Sequence, residues 1–353
     1  MKKIIIIIAI LFSTGCADYK ELDGLSYVTG IGVNYVDGTY VATFEIMENK
    51  TSNGSIETYT YTSTGEDKSL YKAMVNASTK LNKTAYFMHT QVFILSSNIE
   101  NDQLYEVADT IIRNPKLNEE FLLVMTDEDP GDILNLKSET NKSSAFYLYS
   151  LIKENDYSAN EYVDNPFAAF TEKLMDKNID PLVSVISLDD DEIIINKAIS
   201  FNNYKKATNI LLDEVNLFNA INYKENFIPM TIKVNGKTVD LSLRIADHKI
   251  DIKKDEIKIN LEAVSEIKKS DKDLNMKNDD VYVQIEKEIS NKLEKRLRDL
   301  IISLQKNKSD IFGFSNLFYI NTRLDNKDLW TTANININVD TLISRKGIIY
   351  NVN

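Results

Sequence analysis

Residues 91–126 read QVFILSSNIENDQLYEVADTIIRNPKLNEEFLLVMT, and two kinds of hydrophobic pattern alternate along them. The apolar runs at the two ends, 91–95 and 121–126, predict short buried strands. Between them, residues 101–113 predict a helix, because the apolar side chains fall on one face, at Leu104, Val107, Ala108, Ile111 and Ile112. Asn114-Pro115 ends this helix, since the residue before a proline disfavours helical angles. The segment therefore predicts a sheet with a helix packed on it.

The same alternation extends toward the N-terminus. Residues 57–63 alternate Tyr and Thr, as strands do, and residues 67–81 carry an apolar stripe at Leu70, Met74, Ala77 and Leu81. Residues 25–33 and 40–47 predict two further strands, joined by a turn at 36–39. This half of the chain is therefore predicted to form a sheet with helices packed on it.

The second half combines hairpins with one long helix. Asn235-Gly236 is a strong hairpin signal between the strands predicted at 228–234 and 238–245. Residues 279–306 predict a helix that packs on a sheet, because its apolar side chains recur every three or four residues, at Ile285, Ile289, Leu293, Leu297, Leu300 and Leu304. A half-buried strand is predicted at 333–342.

An acidic turn at 189–192 suggests a domain boundary. From this turn we predict that a first domain covers 25–190. The rest of the chain, 191–353, contains the long helix 279–306.

The first 24 residues predict export and anchoring. Lys2 and Lys3 precede an apolar run at 4–12, which is typical of a cleaved signal peptide (1–15) and too short to span a bilayer. Small residues then stand directly before Cys16, which resembles the lipobox of bacterial lipoproteins. That resemblance implies cleavage between Gly15 and Cys16, a diacylglyceryl group with palmitate-type chains on the thiol, and a lipidated tether over 16–24. The alternative is an ordinary buried cysteine after a plain signal peptide.

Composition excludes several classes of protein. The chain has 53 Asp and Glu against 41 Lys and Arg, and a net charge of −12, which argues against nucleic acid and against anionic lipid as the main partner. One cysteine excludes a disulfide framework. Membrane attachment is therefore expected to come from the acyl chains at Cys16.

Motifs for catalysis are missing from the sequence. The two histidines, His89 and His248, lie far apart and belong to no zinc-binding pattern, and there is no Gly-x-Ser-x-Gly motif. Gly30 and Gly32 are interpreted as strand glycines that another backbone approaches closely. We therefore predict no enzyme activity, no cofactor and no metal site.

Six segments occur in a fixed order along the chain: CADYKEL at 16–22, VTGIGV at 28–33, STG at 63–65, YFMHTQV at 86–92, RNP at 113–115 and SDIFGF at 309–314. Their succession resembles the Ger(x)C family, the lipoprotein C subunits of bacterial spore germinant receptors. Ala17 departs from the pattern, because the family usually has Trp there.

The resemblance implies a three-domain α+β protein in which each domain combines a mixed or antiparallel sheet with packed helices. The three domains would be an N-terminal α+β domain over 25–190, a middle domain over 191–245 and a C-terminal domain over 246–353. The resemblance also implies a place at the outer face of the spore inner membrane, and joint action with the A and B membrane subunits in nutrient-triggered germination. Three motif positions have either a functional role or a packing role: His89, Asp310 and Gly313. Whether the chain itself binds a small-molecule germinant stays open.

Two other functions fit the anchor and the size of the chain. One is a solute-binding lipoprotein of a transporter, although such proteins are usually two matched lobes with parallel sheets, which the hairpin-rich second half fits poorly. The other is a surface hydrolase, for which the sequence offers no nucleophile. Tight binding of a small ligand would favour the first of these, and hydrolysis of ester or peptidoglycan substrates the second.

Overall fold

The computed structural model describes residues 24–52, 55–136, 143–154, 161–163, 166–190, 192–222, 227–253, 255–324, 326 and 328–345. Within these ranges the chain forms two β-sheets with helices packed against them. The predicted α+β class is therefore confirmed. Gly15, Cys16 and the predicted tether up to residue 23 lie outside the described residues.

The first sheet has nine strands: β1 (Leu25–Val36), β2 (Thr39–Ser52), β3 (Ser55–Asp67), β4 (Thr84–Tyr86), β5 (Val92–Ser96), β6 (Leu122–Thr126), β7 (Leu182–Asp189), β8 (Glu192–Asn202) and β9 (Lys205–Leu211). The order across the sheet is β3-β2-β1-β5-β6-β7-β8-β9, and the short β4 also pairs with β1. The four central strands β1, β5, β6 and β7 are parallel, whereas antiparallel hairpins flank them on both sides.

Helices cover both faces of this sheet. The helices are numbered in chain order. The first face carries α1 (Leu70–Thr79), α2 (Asp102–Ile112) and α5 (Phe167–Met175). The second face carries α3 (Pro130–Asn135) and α4 (Ser144–Lys153). Strand β5 contributes to both cores, because Phe93 packs with the first set of helices and Ile94 with the second. Burial on both faces explains why β5 is a continuous apolar run.

Two glycines of β1 allow α3 and α4 to pack closely on the sheet. A Cβ atom at Gly30 would lie 2.7 Å from Leu134 Cδ2, and one at Gly32 would lie 2.9 Å from Pro130 Cβ. The close approach predicted for these glycines therefore exists. The nearest atoms at both glycines belong to side chains, however, and not to the backbone as predicted. A backbone atom lies as close as 3.2 Å to the added Cβ only at Gly32, where it is the carbonyl carbon of Pro130.

The second sheet has four strands: β10 (Ile228–Val234), β11 (Lys237–Lys253), β12 (Glu256–Ser270) and β13 (Asn334–Arg345). Strands β10, β11 and β12 form an antiparallel meander, and β13 returns parallel to β12. Its core includes α6 (Leu212–Asn222), α7 (Asp279–Asn307), α8 (Phe314–Thr322) and a short 3-10 helix (Leu329–Thr332).

Helix α7 occupies the range predicted for the long helix and extends one residue beyond it. The Asn278 side chain accepts a hydrogen bond from the backbone N–H of Asp280 and so caps the first turn. The apolar stripe read from the sequence is buried along its whole length. Among the residues that the structure describes, no helix combines the length and apolar character needed to cross a membrane.

The predicted domain boundaries fall within paired strands. The turn after residue 189 joins β7 to β8, which pair as neighbours from Asp189↔Glu192 to Leu182↔Ser200. Residue 245 lies inside β11, beside a bulge in its pairing with β12. The first sheet thus continues to Leu211. The division into three independently folding domains stays a prediction.

Candidate functional site: a groove between two helices

The motif residue His89 belongs to a cluster of aromatic rings at the start of β1. Its ring lies 5.6 Å from the centroids of Tyr27 and Tyr86, and those two tyrosines are 5.8 Å apart, edge to face. The His89 side chain is exposed. In the part of the chain that the structure describes, no group of three or more His, Cys, Asp or Glu side chains could hold a metal ion.

A groove of about 660 Å³ lies next to this cluster, between α1 and α2. Its lining is largely apolar and comprises Tyr71, Met74, Val75, Ala85, Phe87 and Pro115, among others. A second cavity of about 270 Å³ shares Ala85, Phe87 and Pro115 with it and reaches Leu25, the first residue of β1. The two form one continuous depression, which we call the α1–α2 groove.

Close packing of α1 on β3 positions one wall of the groove. Gly65 lies against the helix backbone, so that a Cβ atom there would be 2.2 Å from Ala73 O. Ser63 Oγ donates a hydrogen bond to Ala77 O at 2.8 Å, and Asn76 Nδ2 donates one to Glu66 O at 2.9 Å. The segment 63–65 therefore supports the groove from below.

Three of the six segments noted in the sequence meet here. Residues 63–65 carry α1, segment 86–92 contributes Phe87 and Met88 to the lining, and segment 113–115 forms the end of the opposite wall. The sequence indicated each of these segments separately. Their convergence could not be read from it, because it depends on the parallel pairing of β1 with β4 and β5.

Basic side chains surround the apolar floor. Lys83, Arg113 and Lys116 line the groove, and of its described lining residues only Asp109 is acidic. Arg113 Nε donates to Asp109 Oδ1 at 2.7 Å, and this carboxylate raises the pKa of Arg113 above its ordinary value. The groove thus combines apolar surface with positive charge on a chain whose net charge is −12.

Glu48 fixes the strands beside the groove. Its carboxylate accepts hydrogen bonds from Ser26 Oγ at 2.8 Å, Tyr61 OH at 2.8 Å and Tyr59 OH at 2.9 Å. Lys83 Nζ lies 3.9 Å from the same group. Burial alone would raise the pKa of Glu48, but the three hydroxyl donors and Lys83 outweigh it, so the pKa is lowered.

The other motif segment, 309–314, joins the two sheets. Asp310 N donates to Asp180 Oδ2 at 2.7 Å, and Asp180 N donates back to Asp310 O at 2.9 Å. Ser309 Oγ donates to Ser200 Oγ at 2.7 Å, and Asn202 Nδ2 donates to Lys308 O at 2.7 Å. The end of α7 is therefore connected to the β7–β8 region of the first sheet.

Asp310 also organises the start of α8. Its two carboxylate oxygens accept hydrogen bonds from Phe314 N at 2.8 Å and Ser315 N at 2.7 Å. Burial raises the pKa of Asp310, and these donors partly offset that effect. Gly313 has a φ of 71°, in the left-handed region that favours glycine. The contacts of Asp310 and the backbone of Gly313 account for a packing role, and a functional role for either stays a prediction.

Glu45 is a buried acid that the sequence patterns did not indicate. Glu45 in β2 is 1% exposed, and it accepts hydrogen bonds from Thr29 Oγ1 at 2.6 Å, Ser143 Oγ at 2.8 Å and Ser144 N at 2.6 Å. It therefore stabilises the N-terminus of α4 from the sheet beneath. The sequence signal for this buried acid is a Glu directly between Phe44 and Ile46, two apolar residues of the strand.

Known proteins match this chain along most of its length. The family described as spore germination protein N-terminal domain matches residues 18–188, and the one described as spore germination B3/GerAC like, C-terminal, matches residues 196–347. The spore germination protein GerQC of Bacillus cereus is 22% identical over 357 residues, which cover 98% of each chain.

A solved structure has the same fold. The crystal structure of the GerBC protein superposes with a TM-score of 0.55 at 12% identity, and the match covers 93% of this chain and 100% of that one. The two family matches together cover far more than half of the sequence. The chain belongs to the Ger(x)C family, the C subunits of spore germinant receptors.

Proposed function

We propose that this chain is the lipid-anchored C subunit of a germinant receptor and acts with A and B membrane subunits at the outer face of the spore inner membrane. The observation that carries the proposal is Cys16, the one cysteine in the sequence, preceded by Ser-Thr-Gly and followed nine residues later by the first residue of β1. Family membership supports a role in spore germination.

Anchoring gives the body a physical function without catalysis. Two acyl chains hold a protein on a bilayer stably where one would not. Confinement to the membrane surface raises the effective concentration of the body near membrane subunits. The α1–α2 groove, with its apolar floor and basic rim, has the chemistry of a binding surface, and we assign this chain a binding role.

Acylation of Cys16 is tested directly by metabolic labelling with an alkyne-tagged palmitate during sporulation. We expect label on the wild-type chain and none on Cys16→Ala, which should also leave the membrane fraction and lose the germinant response. Ser13→Leu is the matched control, because it changes a residue of the same segment, to the leucine that a lipobox usually has there, and keeps the thiol. An unlabelled wild-type chain that stays on the membrane would contradict the proposal.

A further inference from the structure

The α1–α2 groove opens where the predicted tether enters the body. Leu25 lines its smaller cavity, and Cys16 lies nine residues earlier in the sequence. An extended chain spans at most about 3.5 Å per residue, so nine residues reach about 30 Å. Acylation of Cys16, on which this inference rests, would therefore place the groove within about 30 Å of the lipid headgroups.

The surface around the groove is apolar and exposed. The side chains of Tyr71, Val75 and Met88 are 62%, 40% and 48% exposed, and all three line the groove. Tyrosine suits the membrane interface, because its ring is apolar and its hydroxyl is polar.

The groove carries a net positive charge on a chain that is acidic overall. Lys83, Arg113 and Lys116 line it. Asp109, which pairs with Arg113, is the one acidic residue among its described lining residues. An anionic membrane repels a chain whose full sequence has a net charge of −12, so a basic face beside the anchor selects one orientation. We propose that the α1–α2 groove docks on the anionic phospholipid surface that holds the anchor, and that docking directs the second sheet away from the membrane.

A single fluorescent probe reports the orientation. Because Cys16 is the one cysteine and acylation would consume its thiol, Val75→Cys introduces a unique site for labelling beside the groove. Val283→Cys is the control. The Val283 side chain is 63% exposed, and it lies on α7 about 35 Å from the end of that helix that contacts the first sheet. The full lipidated chain is reconstituted in vesicles whose lipids carry a quencher.

We expect the probe at position 75 to be quenched in vesicles of phosphatidylglycerol and phosphatidylcholine, and the probe at 283 to be unaffected. The double variant Arg113→Gln with Lys116→Gln should lower the ratio of docked to undocked chain about 25-fold, because each lost cation lowers that ratio roughly fivefold. High salt should act in the same direction. Lys253→Gln combined with Lys269→Gln on the second sheet removes equal charge and should leave quenching unchanged.

Flotation separates the two proposals. A chain that floats with the vesicles but shows no quenching at position 75 keeps the anchor and overturns docking on lipid, leaving the groove to a protein partner. Equal quenching at 75 and 283, or equal quenching in phosphatidylcholine alone, also overturns it. A chain that does not float contradicts the anchor and the docking together.

Discussion

Gly65→Ala is expected to lower the free energy of unfolding by about 3 kcal/mol. The added Cβ would lie 2.2 Å from Ala73 O and 2.2 Å from Ala77 N, and both atoms belong to the backbone of α1. No rotamer change relieves such a contact, so the helix must move away from β3. That movement would weaken the hydrogen bond from Ser63 Oγ to Ala77 O and widen the α1–α2 groove.

Equilibrium unfolding in urea, followed by circular dichroism, measures this effect. Gly24→Ala is the matched control, because a Cβ atom there meets nothing within 4 Å and the residue is exposed. The control should change the free energy of unfolding by less than about 0.5 kcal/mol. Equal stability of the two variants would show that α1 does not pack on β3 as described.

Asp310→Ala is expected to cost about 3 kcal/mol, because it leaves two buried backbone N–H groups without an acceptor. These are the amides of Phe314 and Ser315, which donate to the two carboxylate oxygens. Loss of this cap should loosen the start of α8. The loosening should then reach the contact between Asp310 and Asp180 that joins the two sheets.

Asp299→Ala provides the comparison for charge removal. Asp299 lies on α7 and pairs with Lys295 at 2.7 Å, but both side chains are mostly exposed. Exposed ion pairs contribute about 0.2–1 kcal/mol, so this variant should remain close to wild type. Limited proteolysis should also cut Asp310→Ala faster between the sheets. A cost no greater than that of Asp299→Ala would contradict the role assigned to Asp310.

Local pattern predicted the elements of this fold well. The spacing of Ile285, Ile289 and Leu293 predicts α7, because apolar residues four positions apart lie on the same side of a helix and that side is buried. Strand order was not accessible in this way. The position of β1 between β2 and β5 depends on pairing between residues about 60 apart, such as Gly30↔Val92. The polar composition of the acidic turn after β7 predicts a boundary, but a hairpin turn and a linker share that composition, so the boundary stays a prediction.

The candidate site was predicted in part. Resemblance indicated His89 and Asp310, but some of the contacts of these segments lie far away in sequence. Asp180 is 130 residues from Asp310, and Ser200 is 109 residues from Ser309. The sequence places Arg113 at the end of a predicted helix, whereas its place on the rim of a groove follows from the packing of α2 beside α1. Contacts of this kind become visible only when the sheets are assembled.

Release of dipicolinic acid from spores tests the receptor role most directly. The comparison uses a strain that lacks the genes for other Ger(x)C proteins, with and without this gene, across a panel of germinants. We expect deletion to abolish release for one class of germinant and re-expression of the wild-type chain to restore it. Release identical to that of the parent for every germinant in the panel would contradict a role as a germinant receptor subunit.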